Sequence, residues 1–380
     1  MFYIGFLQHV YQPPTQKEEI TRQIFEESYE PLLKTLEEKK NIFLSLDIAK
    51  SLAEKLPKNF LQRIQILHSM GIIELVNTAA YHYLLPLIPQ EVITRQLNLN
   101  LEFYRQNFAD ENSIKGVFPP ELAVNPVVIR QIKGLDYSWT LADDEPFVAQ
   151  RLDLPEEEKA PQDWVPTMYG CGVLLRSRLW SERIAHGQYQ NGRLLAKNLI
   201  ESQKDWCKRR KNNQDSYLIL ALDAETFGHW HKRAFEIFLV PFFNEVERSS
   251  GDAKIVSLDF IFNHFPKRPN TIPSGSWSTT DPSIPFPLWD NPNNYFHQLW
   301  NEFIKIAFFV APESPAEELQ DLLDKAFYSC TPWQNAHGNK DVTKWCFPLF
   351  EKLTRLLPQK KEKERLWLIL REMNRLTKSD

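Results

Sequence analysis

Two carboxylates in this chain stand in positions that suit acid–base and nucleophilic chemistry. Asp223 follows an uninterrupted apolar run over residues 217–222 and is followed closely by Glu225, and Glu121 comes directly after two prolines. Such an apolar run is typical of a strand buried on both faces, and barrel enzymes place catalytic groups where strands of this kind end. Two carboxylates that flank a glycosidic bond can hydrolyse it, one as nucleophile and the other as proton donor. The structural alternative is that Asp223 caps the next helix.

Further polar side chains stand in or just after other predicted strands; they are His9, Gln12, Glu74, Arg176 and His229. If the strands form one parallel barrel, their carboxyl ends bring these side chains to the same face as the two carboxylates. Glu74 interrupts an apolar run, and an unpaired buried carboxylate is costly, so this residue needs either a partner or a function. Arg176 and His9 are donors that could keep a nucleophilic carboxylate ionised.

The elements that must position these residues alternate between strands and helices over residues 1–265, which predicts a β/α barrel or a close relative. The Pro- and Glu-rich stretch near 145–170 is interpreted as a loop insertion. Residues 266–292, rich in Pro, Ser and Asn, are interpreted as a loop close to the active site, and three or four amphipathic helices are predicted over 293–380. The predicted strands cover about 2–10, 42–48, 72–76, 116–123, 136–141, 173–176, 217–222 and 255–262.

Composition narrows the class of protein. The 380 residues carry a net charge of −4, so strong nucleic-acid binding is not indicated. Four widely spaced cysteines favour a reducing compartment over a disulfide scaffold or a zinc ribbon. The N-terminus is interpreted as a first strand rather than a signal peptide, and no apolar run approaches the roughly 20 residues that span a bilayer. We therefore expect a cytoplasmic protein with no membrane partner, and its oligomeric state stays open.

Four segments in chain order, HVYQP, GIIEL, GVFPPELAV and LDAETFGHW, resemble the signature regions of glycoside hydrolase family 57. That family includes α-amylases, 4-α-glucanotransferases and branching enzymes. The resemblance implies an incomplete seven-stranded (β/α) barrel followed by a C-terminal helical region. It also implies a retaining double displacement on α-glucans that needs no metal or other cofactor.

The resemblance also implies roles for individual residues. Glu121 would be the nucleophile and Asp223 the general acid/base. Substrate contacts would come from His9, Glu74, His229, Trp230 and Trp277. Support would come from Glu225, expected to orient His229, and from Arg176 and Gln12.

Two positions depart from the family pattern, since Tyr11 stands where a second His is common and Phe118 where a Trp is common. They leave open how efficient the enzyme is and which sugar it takes. One alternative is a metal-dependent polysaccharide deacetylase, which would need His and Asp ligands; the spacing of His229 and His231 is a weak sign of a metal site. Another is a glucan-binding protein without turnover. The choice between hydrolysis and transfer, the linkage and the chain length also stay open.

Overall fold

The computed structural model describes residues 1–39, 41–108, 113–210, 214–312, 315–339, 341–358 and 360–378. Within these residues, ten strands form one sheet. They are β1 (Phe2–Val10), β2 (Leu44–Ile48), β3 (Ile73–Val76), β4 (Gly116–Val117), β5 (Trp139–Asp143), β6 (Val165–Met168), β7 (Cys171–Arg176), β8 (Ser216–Asp223), β9 (Ala253–Val256) and β10 (Lys267–Pro269).

Seven of the strands run parallel around a barrel in the order β1, β2, β3, β4, β5, β7 and β8, and β8 returns to pair with β1. The link from β3 to β4 is a single parallel bridge between Asn77 and Val117. Over the described residues, β7 and β8 pair only at Arg176 and Ile219, which leaves a seam in the wall. The predicted incomplete seven-stranded barrel is therefore confirmed.

Helices surround the barrel and continue beyond it. They are α1 (Glu18–Ile24), α2 (Glu30–Glu38), α3 (Lys50–Ala53), α4 (Lys58–Ser69), α5 (Gln90–Asn107), α6 (Pro126–Gly134), α7 (Asp144–Ala149), α8 (Glu156–Lys159), α9 (Arg178–Ala185), α10 (Gly192–Arg209), α11 (Val240–Arg248), α12 (Leu258–His264), α13 (Tyr295–Val310), α14 (Glu317–Lys325), α15 (Cys330–Ala336), α16 (Val342–Leu356) and α17 (Lys360–Lys378). Single π-helical turns cover Phe25–Tyr29 and Phe235–Leu239, and 3₁₀ turns cover Leu85–Leu87, Pro120–Leu122 and Ala224–Thr226.

Helix α12 enters the barrel near the amino ends of its strands. A methyl group on Gly5 would lie 2.6 Å from Leu258, and one on Gly172 would lie 2.4 Å from Phe262, so both glycines leave room for this helix. Leu258 and Ile261 pack in the same buried cluster as residues of the barrel interior. The predicted strand over 255–262 is thus wrong in its second half. Strand β9 ends at Val256, and the Ser257 side chain accepts a hydrogen bond from the Phe260 amide and starts the helix.

Over its described residues, the C-terminal region contains five helices, α13 to α17, where three or four were predicted. These helices share a buried apolar cluster of their own, which includes Trp300, Phe303, Phe350 and Met373. The cluster meets the barrel through the loop after β3, since the Tyr83 hydroxyl donates to the Leu323 carbonyl at 2.6 Å. The domain boundaries drawn from the sequence remain predictions.

No helix in the described part of the chain combines the length and the apolar character needed to cross a bilayer.

Candidate active site

Three ionisable side chains form a row at the carboxyl ends of β8, β1 and β2. His9 pairs in register with Asp223 on one side and with Asp47 on the other. The His9 ring nitrogen Nδ1 lies 2.7 Å from Asp47 Oδ2. Burial raises the pKa of Asp223, and the charges of His9 and Arg176 oppose that rise. Asp223 can therefore keep a proton at a higher pH than an ordinary aspartate, as a proton donor must.

Glu121 reaches the same space from the 3₁₀ turn that follows β4. Its backbone is in the left-handed region with φ of 61°, and Leu122 follows with φ of 50°. Each such residue costs on the order of 1–3 kcal/mol, and the strain is typical of functional turns. The side chain is buried, and burial raises the pKa of Glu121 to about 7. The Ser329 hydrogen bond opposes the rise and the charge of Asp223 adds to it, so the two predicted catalytic carboxyl groups influence each other directly.

A stack of rings covers His9. The Phe118 ring lies 4.6 Å from the His9 ring, and the Tyr11 ring lies 3.8 Å from that of His82. The two positions that depart from the family pattern thus both pack on this stack. Burial opposes a charge on His9, but Asp47 outweighs it and the pKa of His9 rises to about 9, so the ring is positively charged at neutral pH.

Two side chains donate hydrogen bonds to the Glu225 carboxyl group. Gln12 Nε2 donates to Glu225 Oε1 at 2.5 Å, and the Tyr29 hydroxyl donates to the same oxygen. Burial raises the pKa of Glu225 to about 7, the charge of Asp223 adds to the rise, and the Tyr29 hydrogen bond opposes it. The structure therefore places Gln12 on Glu225, two residues after Asp223, and a supporting role for the two residues remains a prediction.

His229 and Trp230 lie further out. His229 Nδ1 is 2.6 Å from Glu27 Oε2, and its amide donates to Ser28 Oγ at 3.1 Å. The expectation that Glu225 orients His229 is therefore wrong, because the imidazole takes its carboxylate partner from the turn before α2. Trp230 is 67% exposed and packs edge-on against His229 at 4.9 Å. An exposed indole such as this one can serve as a stacking surface for a sugar.

Glu74 lies apart from the row. It pairs in register with Ser45, two residues before the level of Asp47, which is about 7 Å deeper in the barrel. Its carboxylate accepts hydrogen bonds from the amides of Leu258 at 2.8 Å and Asp259 at 2.7 Å, and from the Ser45 hydroxyl. A carboxylate at the start of a helix stabilises that helix. These contacts favour a structural role for Glu74 at the start of α12 over the predicted sugar contact.

Arg176 joins the row to the loop over residues 266–292. Its Nη1 donates to Asp143 Oδ2 at 2.7 Å, its Nε donates to the Ala221 carbonyl at 2.8 Å, and its guanidinium lies 5.6 Å from the centre of the Trp277 ring. Trp277 is half-buried, and its amide donates to the Glu121 carbonyl at 3.1 Å. Trp277 is thus well placed to form a wall of the site.

Two residues of the site were not predicted. His82 stands in the loop after β3 with φ of 57°, and its ring lies between His9 and Ser329. Ser329, just before α15, donates to Glu121 Oε1 at 2.7 Å. Neither residue follows a strand in the sequence, and their spacing from Glu121 carries no local signal. The one available sign was the Ser329–Trp333 segment, whose resemblance to the family's C-terminal portion is weak.

Over the described residues, no group of three or more His, Cys, Asp or Glu side chains has an arrangement that could hold a metal ion. The two histidines with metal-like spacing diverge, since His229 binds Glu27 and His231 Nε2 binds the Ala185 carbonyl at 2.8 Å.

Comparison with known sequences supports the assignment of a family. The model of Glycosyl hydrolase family 57 matches residues 6–272. An alpha-amylase from Pyrococcus horikoshii is 28% identical over 151 residues, which are 39% of this chain and 23% of that protein. A 4-alpha-glucanotransferase from Thermococcus kodakarensis is 26% identical over 151 residues, again 39% of this chain and 23% of that protein. The chain therefore matches less than a quarter of the length of either relative.

Solved structures share the fold. A GH57-type branching enzyme from Pyrococcus horikoshii superposes with a TM-score of 0.75 at 16% identity, over 99% of this chain and 94% of that one. A 4-alpha-glucanotransferase from Thermococcus litoralis superposes with a TM-score of 0.72 at 15% identity, over 94% of this chain and 60% of that one. At these identities the likeness shows the fold alone. The family model matches well over half of the chain, and the protein accordingly belongs to glycosyl hydrolase family 57.

Proposed function

We propose that the protein is a retaining enzyme that acts on α-glucans, as a hydrolase or a transglycosylase. The observation that carries the proposal is the pair of Glu121 and Asp223, two carboxyl groups that influence each other's charge at the carboxyl ends of the barrel strands. Family membership supports the α-glucan as substrate. The same membership does not favour the alternative of a metal-dependent deacetylase.

The mechanism has two displacements. In the first, Glu121 attacks the anomeric carbon, the glycosidic C–O bond breaks, and the proton of Asp223 passes to the leaving oxygen. In the second, the Asp223 carboxylate takes a proton from water or from the hydroxyl of an acceptor sugar. The oxygen so activated attacks the anomeric carbon and the bond to Glu121 breaks. Whether water or a sugar enters at this point decides between hydrolysis and transfer.

The remaining residues fit this scheme. His9 carries a positive charge next to Asp223, which favours the carboxylate that forms once the proton has left. Trp277 and Trp230 offer indole faces on which sugar rings can stack. None of the four cysteines, which all lie in the described residues, forms a disulfide, and this supports the further proposal of a reducing, cytoplasmic compartment.

Incubation with amylose, pullulan and maltooligosaccharides tests the proposal, with products resolved by length and linkage. Wild type should form shorter or rearranged glucans, whereas Asp223→Asn and Glu121→Gly should lose nearly all turnover. Glycine tolerates the left-handed backbone at position 121, so this variant should fold. Added azide should then restore turnover in Glu121→Gly alone and give a glycosyl azide of inverted configuration. The exposed Glu91→Gln is the control.

Unchanged rates in both variants would overturn the catalytic assignment. Binding of maltooligosaccharides to wild type without any product would favour the glucan-binding alternative.

A further inference from the structure

A continuous chain of hydrogen bonds connects Asp47 to Glu121. His9 Nδ1 lies 2.7 Å from Asp47 Oδ2, and His9 Nε2 lies 2.9 Å from His82 Nε2. His82 Nδ1 lies 2.8 Å from Ser329 Oγ, which is 2.7 Å from Glu121 Oε1. Its five side chains come from β1, β2, the loop after β3, the turn after β4 and the link between α14 and α15 in the C-terminal helical region.

The donor and the acceptor in each hydrogen bond of this chain follow from the number of protons that each side chain carries. A serine hydroxyl has one proton, and if Ser329 gives it to Glu121, then His82 must donate from Nδ1 to Ser329 Oγ. A neutral His82 with its proton on Nδ1 has an acceptor at Nε2, so His9 must donate there from its own Nε2. The other His9 proton, on Nδ1, goes to Asp47. In this arrangement His9 is an imidazolium, His82 is neutral and Glu121 is ionised.

The opposite direction is the alternative. A protonated Glu121 would donate to Ser329, Ser329 would donate to His82 Nδ1, and His82 would donate to His9 Nε2. His9 would then be neutral, and one proton would have moved from His9 to Glu121 with no change in total charge. Only the first direction leaves Glu121 able to attack a sugar.

The surroundings favour the first direction. Asp47 outweighs the effect of burial and raises the pKa of His9 to about 9, and Asp223 and Glu225 act in the same sense. Burial lowers the pKa of His82, and the charge on His9 lowers it further, so this ring stays neutral.

The groups that face Glu121 complete the electrostatic setting. Ser329 and Trp277 both oppose the rise in its pKa, as does the charge of His9, whereas the charge of Asp223 adds to the rise. The other titratable groups that face Glu121 are His82, whose Nδ1 lies 3.9 Å from Oε1, and Tyr11 and Cys330.

We propose that Ser329 and His82 are positioning residues for Glu121, which they hold in place and in the ionised form through Oε1. The proposal rests on Glu121 being the nucleophile. It also makes the C-terminal helical region part of the active site, because Ser329 comes from it.

A purely structural role for the Ser329 hydroxyl has little support. The residue stands at the start of α15, but its side chain does not cap that helix. Its backbone contacts, from the Ser329 amide to the His82 carbonyl and from Trp289 Nε1 to the Ser329 carbonyl, do not involve the hydroxyl.

Kinetics on the full chain test the proposal. Ser329→Ala should lower kcat by about 10- to 100-fold with a smaller change in KM, because a misplaced reacting group costs up to this factor. The acid limb of the kcat/KM profile should move to higher pH, since Glu121 loses a hydrogen bond that favours its ionised form. Ser329→Thr, which keeps the hydroxyl, should restore most of the wild-type kcat and bring the acid limb back close to its wild-type pH. Thr354→Val removes another buried hydroxyl from the same region and should leave the pH profile unchanged.

A second variant tests the chain as a unit. His82→Asn suits the left-handed backbone, which asparagine tolerates, and it removes the link to His9. The double variant of Ser329→Ala and His82→Asn should be hardly slower than the slower single variant, because both break the same chain. Additive losses, or a Ser329→Ala profile that does not move, would overturn the proposal.

A measurement without substrate separates this inference from the proposed function. In ¹⁵N spectra of the free protein at pH 7, His9 should carry protons on both ring nitrogens and His82 on Nδ1 alone. A His82 ring protonated on Nε2 would overturn the proposed direction even if the enzyme is active. If the rings are as expected but wild type forms no product from any glucan, the proposed function fails and the chain of hydrogen bonds stands.

Discussion

His9 on β1 and Asp223 on β8 are direct register partners in neighbouring parallel strands. Since Asp47 on β2 is the partner of His9 on its other side, the strand order sets a positive ring between two carboxyl groups. Asp47 forms the hydrogen bond and Asp223 does not, so Asp223 remains available for a proton and a substrate. The order of the strands thus places Asp47 and Asp223 on opposite sides of His9, which gives Asp47 a structural role and leaves Asp223 for its proposed catalytic role.

Removing the charge of Asp223 should lower the pKa of Glu121. Burial is the main cause of the raised value of about 7, and the charge of Asp223 adds to it, so Asp223→Asn removes that addition. Carboxyl ¹³C shifts followed from pH 4 to pH 9 measure the change. The exposed Asp205→Asn should leave the Glu121 titration where it is, and a rise after Asp223→Asn would contradict this electrostatic account.

The barrel could be predicted from the sequence because most of its strands are short, largely apolar runs that alternate with helical segments. The β8 run is buried throughout, and Asp223 falls at its end as expected. Strand β9 and helix α12 were merged because residues 255–262 are mostly apolar, and the short helix-start signal at Ser257 was overlooked. An apolar run of this length does not separate a strand from a buried helix.

The carboxylates of the site were identified because each has a local signal. The chain from Asp47 to Glu121 was not, because its links join residues as far apart as His82 and Ser329, 247 positions away in sequence. Glu74 illustrates the opposite case. Its position in an apolar run correctly indicated that it needs a partner, but that partner is the start of α12, which the sequence reading had placed in a strand.

Loss of the Tyr29 hydroxyl should slow the enzyme. Tyr29 and Gln12 are the donors to Glu225, and Tyr29→Phe leaves that buried carboxyl with a higher pKa. We expect kcat to fall by about 10- to 100-fold, in line with loss of one hydrogen bond to a charged group worth about 1.5–3 kcal/mol. Steady-state rates on maltooligosaccharides measure the effect. Glu27→Gln, which disturbs His229 instead, should change KM more than kcat, and equal effects of the two variants would contradict separate roles.

Arg178 should matter for the loop that carries Trp277. Its Nε donates to Asp143 at 2.7 Å, and its terminal nitrogens donate to the carbonyls of Thr279 at 2.6 Å and Ser276 at 3.1 Å. Arg178→Met removes the donor from the two carbonyls and one of the two arginine partners of Asp143, which keeps Arg176. Removing one partner from a buried ion pair costs at most about 3–5 kcal/mol, and the remaining arginine reduces this loss. Urea unfolding should show most of this loss. Arg183→Met on the same helix removes an exposed guanidinium and should change the free energy of unfolding by less than about 0.5 kcal/mol.

The pH dependence of stability should reveal the role of Glu74. Burial raises the pKa of its carboxyl from 4.5 to about 7 in the folded chain, so the folded state binds this proton more tightly than the unfolded state. The resulting stabilisation is complete below about pH 4.5 and is lost as the pH rises through 7. Glu74→Gln keeps an acceptor for the amides at the start of α12 but does not titrate. The free energy of unfolding of the variant should therefore fall less than that of wild type between pH 5 and pH 8.

Comparing wild type with Glu74→Gln separates the effect of Glu74 from that of other carboxyl groups whose pKa is also raised in the folded state. Glu121, Asp144 and Glu225 also have pKa values raised by burial, but they titrate in both proteins and their effects cancel in the difference. We expect the difference to be on the order of 1–2 kcal/mol, because Glu74 is only half-buried and solvent screens part of the effect. Urea unfolding at pH 5, 6.5 and 8 measures it. Parallel curves for the two proteins would mean that Glu74 titrates normally and that the start of α12 does not depend on its protonation.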